Sequence, residues 1–269
     1  MTTDKLTAVA LALAAALFVG PASPAANAAS YRPLITTPPL PMFGGTDSGA
    51  FRISDNESPA PTNRVFINYS YYSNTIFNLH REVVGFEKTL FDSRASIGMR
   101  LPFYQSPFAS DLGDVSLIAK VAILTDPIQP NNILSGGLVV TFPTTPHADT
   151  LIQPFLGWNE QFGNLYLQGF HSIVFPTGAH AGTRLINDVA AGFWLYQGSP
   201  NQFFSALIPT VGLHIDTPLN YTGDTTTDLT LGARFGIKDS HAPGVSVSFP
   251  LAGPRSYDMA FNANFDFRW

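Results

Sequence analysis

Six histidines, His80, His147, His171, His180, His214 and His241, are the first residues to test for chemistry, and no two are spaced as metal ligands on one element. Asp216, Asp224 and Asp228 fall in one threonine-rich stretch that would suit calcium, but they lack EF-hand spacing, and a solvated loop accounts for them. The glycine-rich run Gly44 to Gly49 has no strand-to-helix context, so it does not read as a phosphate cradle. His171 and Ser172 are an adjacent nucleophile and base pair. Neighbours on a strand point to opposite faces, so they cannot hydrogen-bond as a catalytic couple. An enzyme is therefore not expected, nor is a metal site or a cofactor.

The charged residues are more informative, because they recur at every second position among apolar neighbours. Where Val84, Phe86 and Leu90 share one face of a strand, Arg81 and Glu87 take the other. On the next segment Ala95, Ile97, Met99, Leu101 and Phe103 oppose Arg94, Ser96, Gly98 and Arg100. The short Phe91-Asp92-Ser93 connection would bring Glu87 and Arg94 together as diagonal neighbours. Lys120, Arg234, Asp258, Asp266 and Arg268 fall on polar faces by the same parity. If the apolar faces meet lipid, these nine residues are the candidate lining of a water-filled lumen, since a charge within a membrane needs water or a partner. Filtering of solutes and simple bracing of the wall are both compatible with such a set.

The elements that must carry these residues are strands. Tyr257 to Trp269 alternates without fault: Tyr257, Met259, Phe261, Ala263, Phe265, Phe267 and Trp269 lie on one face, Asp258, Ala260, Asn262, Asn264, Asp266 and Arg268 on the other. Eleven further strand-length segments precede it, at about 64–72, 81–90, 94–103, 115–124, 133–142, 151–158, 165–175, 185–196, 202–215, 229–237 and 245–251. Twelve is even, and most segments match the roughly 9 to 11 residues that a tilted strand needs to cross a bilayer. Short turns are expected at 91–93, 125–132, 159–164, 198–201 and 238–244, and the two longest loops at 104–114 and 216–228. Around 192–195 and 203–208 both faces are apolar, as in a soluble sandwich or a barrel whose lumen is partly filled.

The start of the chain has another character. Lys5 precedes an Ala/Leu/Val run from Leu6 to Gly20, and Ala26-Asn27-Ala28 forms an A-x-A cleavage site. This reads as a signal peptide over 1–28. It is followed by a Pro/Gly-rich extension over 29–62, which reads as a periplasmic tether in preference to a plug, and by a β-domain over 63–269. Charged residues make up only 12% of the chain and aromatics 13%, with 22 Phe and no Cys. Soluble domains carry about 25% charge, so the balance favours a barrel with an apolar exterior and excludes a disulfide scaffold. A net charge of -5 gives no reason to expect nucleic acid as a partner.

The terminal strand resembles the closing strand of Gram-negative outer-membrane β-barrels, in which a final aromatic residue is read by the barrel-assembly machinery. By that resemblance Phe265, Phe267 and Trp269 form the assembly signal. Asn63 to Tyr69, Gly85 to Thr89 and Arg94 to Phe103 resemble the early strands of outer-membrane porins and MetA-pathway-like transporter barrels. The resemblance implies a closed antiparallel transmembrane barrel in the cell outer membrane, with lipid and small-molecule solutes as partners. It implies a channel or transporter, with a structural or surface-interaction barrel lacking an open pore as the alternative, and leaves the solute and the oligomeric state open.

Overall fold

Period-two alternation of β-branched and aromatic residues with polar ones becomes an all-antiparallel sheet in the computed structural model. Residues 57–73, 78–126, 132–145, 148–178, 181–199, 202–220, 223–237 and 241–269 are described. The expected signal peptide over 1–28 and residues 29–56 lie outside them. The strands are β1 (Arg64–Ser73), β2 (Leu79–Leu90), β3 (Ala95–Gln105), β4 (Ser110–Leu112), β5 (Val115–Thr125), β6 (Ile133–Phe142), β7 (Leu151–Phe162), β8 (Leu165–Pro176), β9 (Arg184–Phe193), β10 (Tyr196–Gln197), β11 (Phe204–Pro218), β12 (Thr226–Ile237), β13 (Gly244–Ala252) and β14 (Met259–Arg268).

Each long strand pairs with its chain neighbour, β9 pairs with β11, and β14 returns to β1. Omitting the short β4 and β10, which pair only with β3 and β11, leaves a closed ring of twelve strands. The closing seam is long, with Arg64 opposite Arg268 and the register continuing to Ser73 opposite Met259. Closure leaves no unpaired edge, which backbone in a bilayer requires.

The faces are inverted relative to a soluble protein. Val65, Ile67, Val84, Phe86, Ile97, Leu117, Val121, Leu231, Val245, Phe261 and Phe265 are all exposed on the outside. Arg64, Glu87, Ser96, Arg100, Lys120, Gln168, Asp188, His214 and Asp266 are buried within. A soluble sandwich of these strands would place the first set in its core. The outer surface carries aromatic clusters at both ends: Tyr69, Tyr71 and His80 at one, and His241, Phe265, Phe267 and Trp269 at the other. Such clusters occupy the two interfaces of a membrane barrel.

Two connections differ from the reading of the sequence for identifiable reasons. Phe91, Asp92 and Ser93 all have positive φ, at 52°, 54° and 63°, so the turn takes four residues and β3 starts at Ala95. The stretch expected as a loop over 216–228 is strand at both of its ends, since β11 runs to Pro218 and β12 begins at Thr226. Elsewhere the hairpin between β7 and β8 needs only Gly163 and Asn164, with glycine supplying a φ of 61° at the first position.

Candidate functional site: the charged lumen

Alternation brings Arg64 of β1, Glu87 of β2, Ser96 and Arg100 of β3, Lys120 of β5 and Asp266 of β14 to the same inner wall. Glu87 is the hub. Its carboxylate accepts from Arg64 Nε at 3.0 Å, Ser96 Oγ at 2.6 Å and Lys120 Nζ at 3.0 Å. Asp266, fully buried, lies 3.2 Å from Arg268 Nη2 and 3.8 Å from Arg64 Nη1. It therefore stands between two arginines that face one another across the seam, and their mutual repulsion is offset there.

Residues 57–62, expected as a tether outside the barrel, enter this cluster instead. Glu57 is buried, its carboxylate contacting Arg100 Nη2 and lying 3.5 Å from Arg64 Nη2. Its own carbonyl accepts from Gln168 Nε2 at 2.8 Å, and the Ser58 carbonyl accepts from Lys120 Nζ at 2.6 Å. Gln168 belongs to β8, six strands from β1 in either direction around the ring of twelve. The segment accordingly crosses the lumen from one wall to the opposite one. It is pinned at both ends.

Among the residues singled out by parity, Glu87, Arg100, Lys120 and Asp266 are buried in this cluster, and Arg268 is half-buried at its edge. Arg81 is buried toward the other end of β2, and Arg234 is half-buried on β12. Two residues fall elsewhere. Arg94 is exposed in the turn, because the left-handed run at 91–93 ends the hairpin before β3 begins, and the expected Glu87 and Arg94 pairing is replaced by Arg64 and Lys120. Asp258 is exposed ahead of β14, because Tyr257 breaks the alternation by turning inward onto Tyr72, with their rings 5.3 Å apart. Phe265, Phe267 and Trp269 point outward, with Phe267 stacked on Trp269 and Lys88 Nζ 5.9 Å from the indole centroid.

Parity singled out neither Arg64 nor Glu57. Arg64 opens the first strand and follows the alternation of Phe66, Asn68 and Ser70, so the pattern contained it. Glu57 sits in a proline-rich stretch with no periodicity, and nothing local marks it.

A second polar group lies on the other side of the lumen. His214 Nδ1 and Asp188 Oδ1 are 2.6 Å apart, and Arg184 pairs with Asp216. These line or flank a cavity bounded by Gln168, Thr210, Thr230, Arg234, Ser246 and Asn264. Asp216 and Asp228, read from the sequence as loop residues with Asp224, are instead buried on β11 and β12, because the strands extend past them. Among the described residues no group of three or more His, Cys, Asp or Glu is arranged to hold a metal. Beside this cavity Phe155, Phe170 and Val139 pack together inside the wall, so part of the lumen is filled by side chains. His171 bonds to Trp158 and Asn187 on one face of β8, and Ser172 to Gln153 on the other.

A scan of family models and a search of curated proteins both return no match. Solved structures do match in fold. The NanC porin is similar at a TM-score of 0.55 and 11% identity, covering 76% of this chain and 100% of the porin. The COG4313 outer membrane channel from Pseudomonas putida F1 gives 0.55 and 15%, covering 83% and 98%. The KdgM porin gives 0.52 and 7%, covering 77% and 99%. With its apolar exterior, charged inner wall and twelve-strand closure, the chain is a closed antiparallel β-barrel with the fold found in porins and outer-membrane channels.

Proposed function

We infer that the protein is a non-enzymatic channel of the outer membrane for small polar solutes. One observation carries this reading: the buried interior holds many charged and hydrogen-bonding side chains beside a few apolar clusters, while the exposed outer face is apolar. A barrel that served only as an anchor needs the second feature, whereas its interior can be filled by apolar side chains without the first. Arg81, Glu87, Arg100, Lys120, Arg234, Asp266 and Arg268 are assigned to the solute path. Asp188 Oδ2 and His214 Nε2, both buried with no hydrogen-bond partner among the described residues, offer hydrogen-bonding positions to a solute in the cavity they line. The likeness to porins and channels supports the reading through the fold. On the same reading the chain is exported by a signal peptide cleaved after Ala28, and the assembly machinery recognises Phe265, Phe267 and Trp269.

Purified protein in planar bilayers is expected to conduct, and vesicles containing it to take up small polar solutes faster than empty vesicles. Silence of a folded barrel, both as the natural chain and with the crossing segment released, would sink the channel reading. A structural or surface-interaction barrel would take its place.

A further inference from the structure

The contacts of Glu57 have the form of a ligand in a site. Arg64, Arg100, Lys120 and, at the edge, Arg268 contribute four positive charges to the lumen wall, and Glu87 and Asp266 return two negative ones. The wall alone is therefore two positive charges in excess, and the Glu57 carboxylate offsets one of them. An unbalanced buried charge is costly, so the site favours an anion whenever Glu57 is elsewhere. Arginine guanidinium groups fit a carboxylate in shape as well as in charge. Glu57 belongs to no strand, and four groups hold it and Ser58: Arg64, Arg100, Lys120 and Gln168. A free carboxylate can take over the cationic contacts, which leaves the Gln168 bond as the hold on the far wall and the Thr62 N–H bond to Glu87 beside β1.

We propose that Arg64, Arg100 and Lys120 form a binding site for a small monocarboxylate, that Glu57 occupies it as a tethered competitor, and that the incoming carboxylate displaces the 57–62 segment and opens the lumen. The proposal rests on the channel reading and names its solute class and its regulation.

The test uses the full mature barrel with acetate as the probe. In planar bilayers the natural chain is expected to stay mostly closed in potassium chloride. It should open more often as acetate replaces chloride at constant ionic strength. Glu57→Gln should stay open in either salt, lose its response to acetate, and show a roughly fivefold gain in anion over cation permeability. That factor is about what one unit charge 4 Å away exerts through water. Gln168→Leu, which keeps every charge and releases only the far wall's hold, should also raise opening while keeping the acetate response.

Since the chain has no cysteine, Ser58→Cys gives a separate readout of the segment itself. A membrane-impermeant maleimide should label the introduced thiol slowly in chloride, and faster in acetate or beside Gln168→Leu. Equal opening by chloride and acetate would overturn the carboxylate assignment. A conducting Glu57→Gln barrel with natural gating and a protected thiol at position 58 would overturn the displacement step while leaving the channel reading in place. Faster labelling at position 58 in a barrel that never conducts would uphold the displacement and overturn the channel.

Discussion

Leu231 is the position at which the membrane assignment is most exposed to refutation. It is the sixth of twelve residues in β12 and is 48% exposed on the outer face. A strand tilted by about 40° climbs roughly 2.5 Å per residue along the membrane normal, which puts Leu231 within about 2 Å of the centre of its strand. Arginine there meets hydrocarbon, and Leu231→Arg should cost about 2 to 4 kcal/mol of folding stability. Ile97, also outward, is the third of eleven residues in β3 and so lies roughly 7 Å from that strand's centre. Since the apolar band is about 25 Å tall, Ile97→Arg is more than halfway to the interface and should cost about 1 to 2 kcal/mol. Thr230→Lys, one residue from Leu231 and facing the lumen cavity, should cost less than either. Equilibrium urea unfolding in phospholipid vesicles, followed by heat-modifiable migration and tryptophan fluorescence, measures all three. An unchanged order of stability in water without lipid, or Leu231→Arg no worse than Thr230→Lys, would refute the assignment of faces.

The remaining predictions concern the seam and the two faces. Asp266→Asn removes the anion between Arg64 and Arg268 and should destabilise the barrel by about 3 to 5 kcal/mol, the cost of breaking a buried pair; wild-type urea midpoints would count against that role. Deleting Phe267 to Trp269 removes the register partners of Val65 and Arg64 and should leave exported but unfolded chain in the periplasm, visible as the loss of the heat-modifiable band. Single cysteines at Thr230 and Leu231 should divide cleanly, the first reacting with a small water-borne thiol reagent and the second shielded by lipid; equal labelling in vesicles contradicts the parity.

Much of this architecture is legible in the sequence because a membrane barrel offers only two environments, and the side-chain period of a strand separates them. The alternation of Ile97 with Arg100, or of Phe265 with Asp266, holds in the structure for that reason. The reading goes astray where the backbone leaves the regular pleat. Arg94 is lost from the inner face because three residues in a row adopt left-handed φ, a conformation that Asp92 tolerates but that Phe91 and Ser93 do not advertise. Asp258 is lost because Tyr257 turns inward to meet Tyr72, a contact between residues far apart in the chain. The Asp216 and Asp228 stretch looks like a loop because its threonines and aspartates are polar on both faces. That composition suits a strand whose inner face is wet.

Glu57 is the deeper failure of sequence reasoning, and it shows how closure and occupancy depend on one another. Its partners come from β1, β3 and β8, and Ser58 adds β5, so no hairpin or local pattern contains the site. Arg64 serves twice, meeting Asp266 across the seam and Glu57 across the lumen, with Glu87 fixing its guanidinium between them. The span from the β1 wall to the β8 wall has the right length only after twelve strands have closed into a ring, because in an open sheet those strands are six positions apart along a surface. The segment can therefore cross only a finished barrel. The same Arg64 that holds it there has by then been positioned by the last strand of the chain.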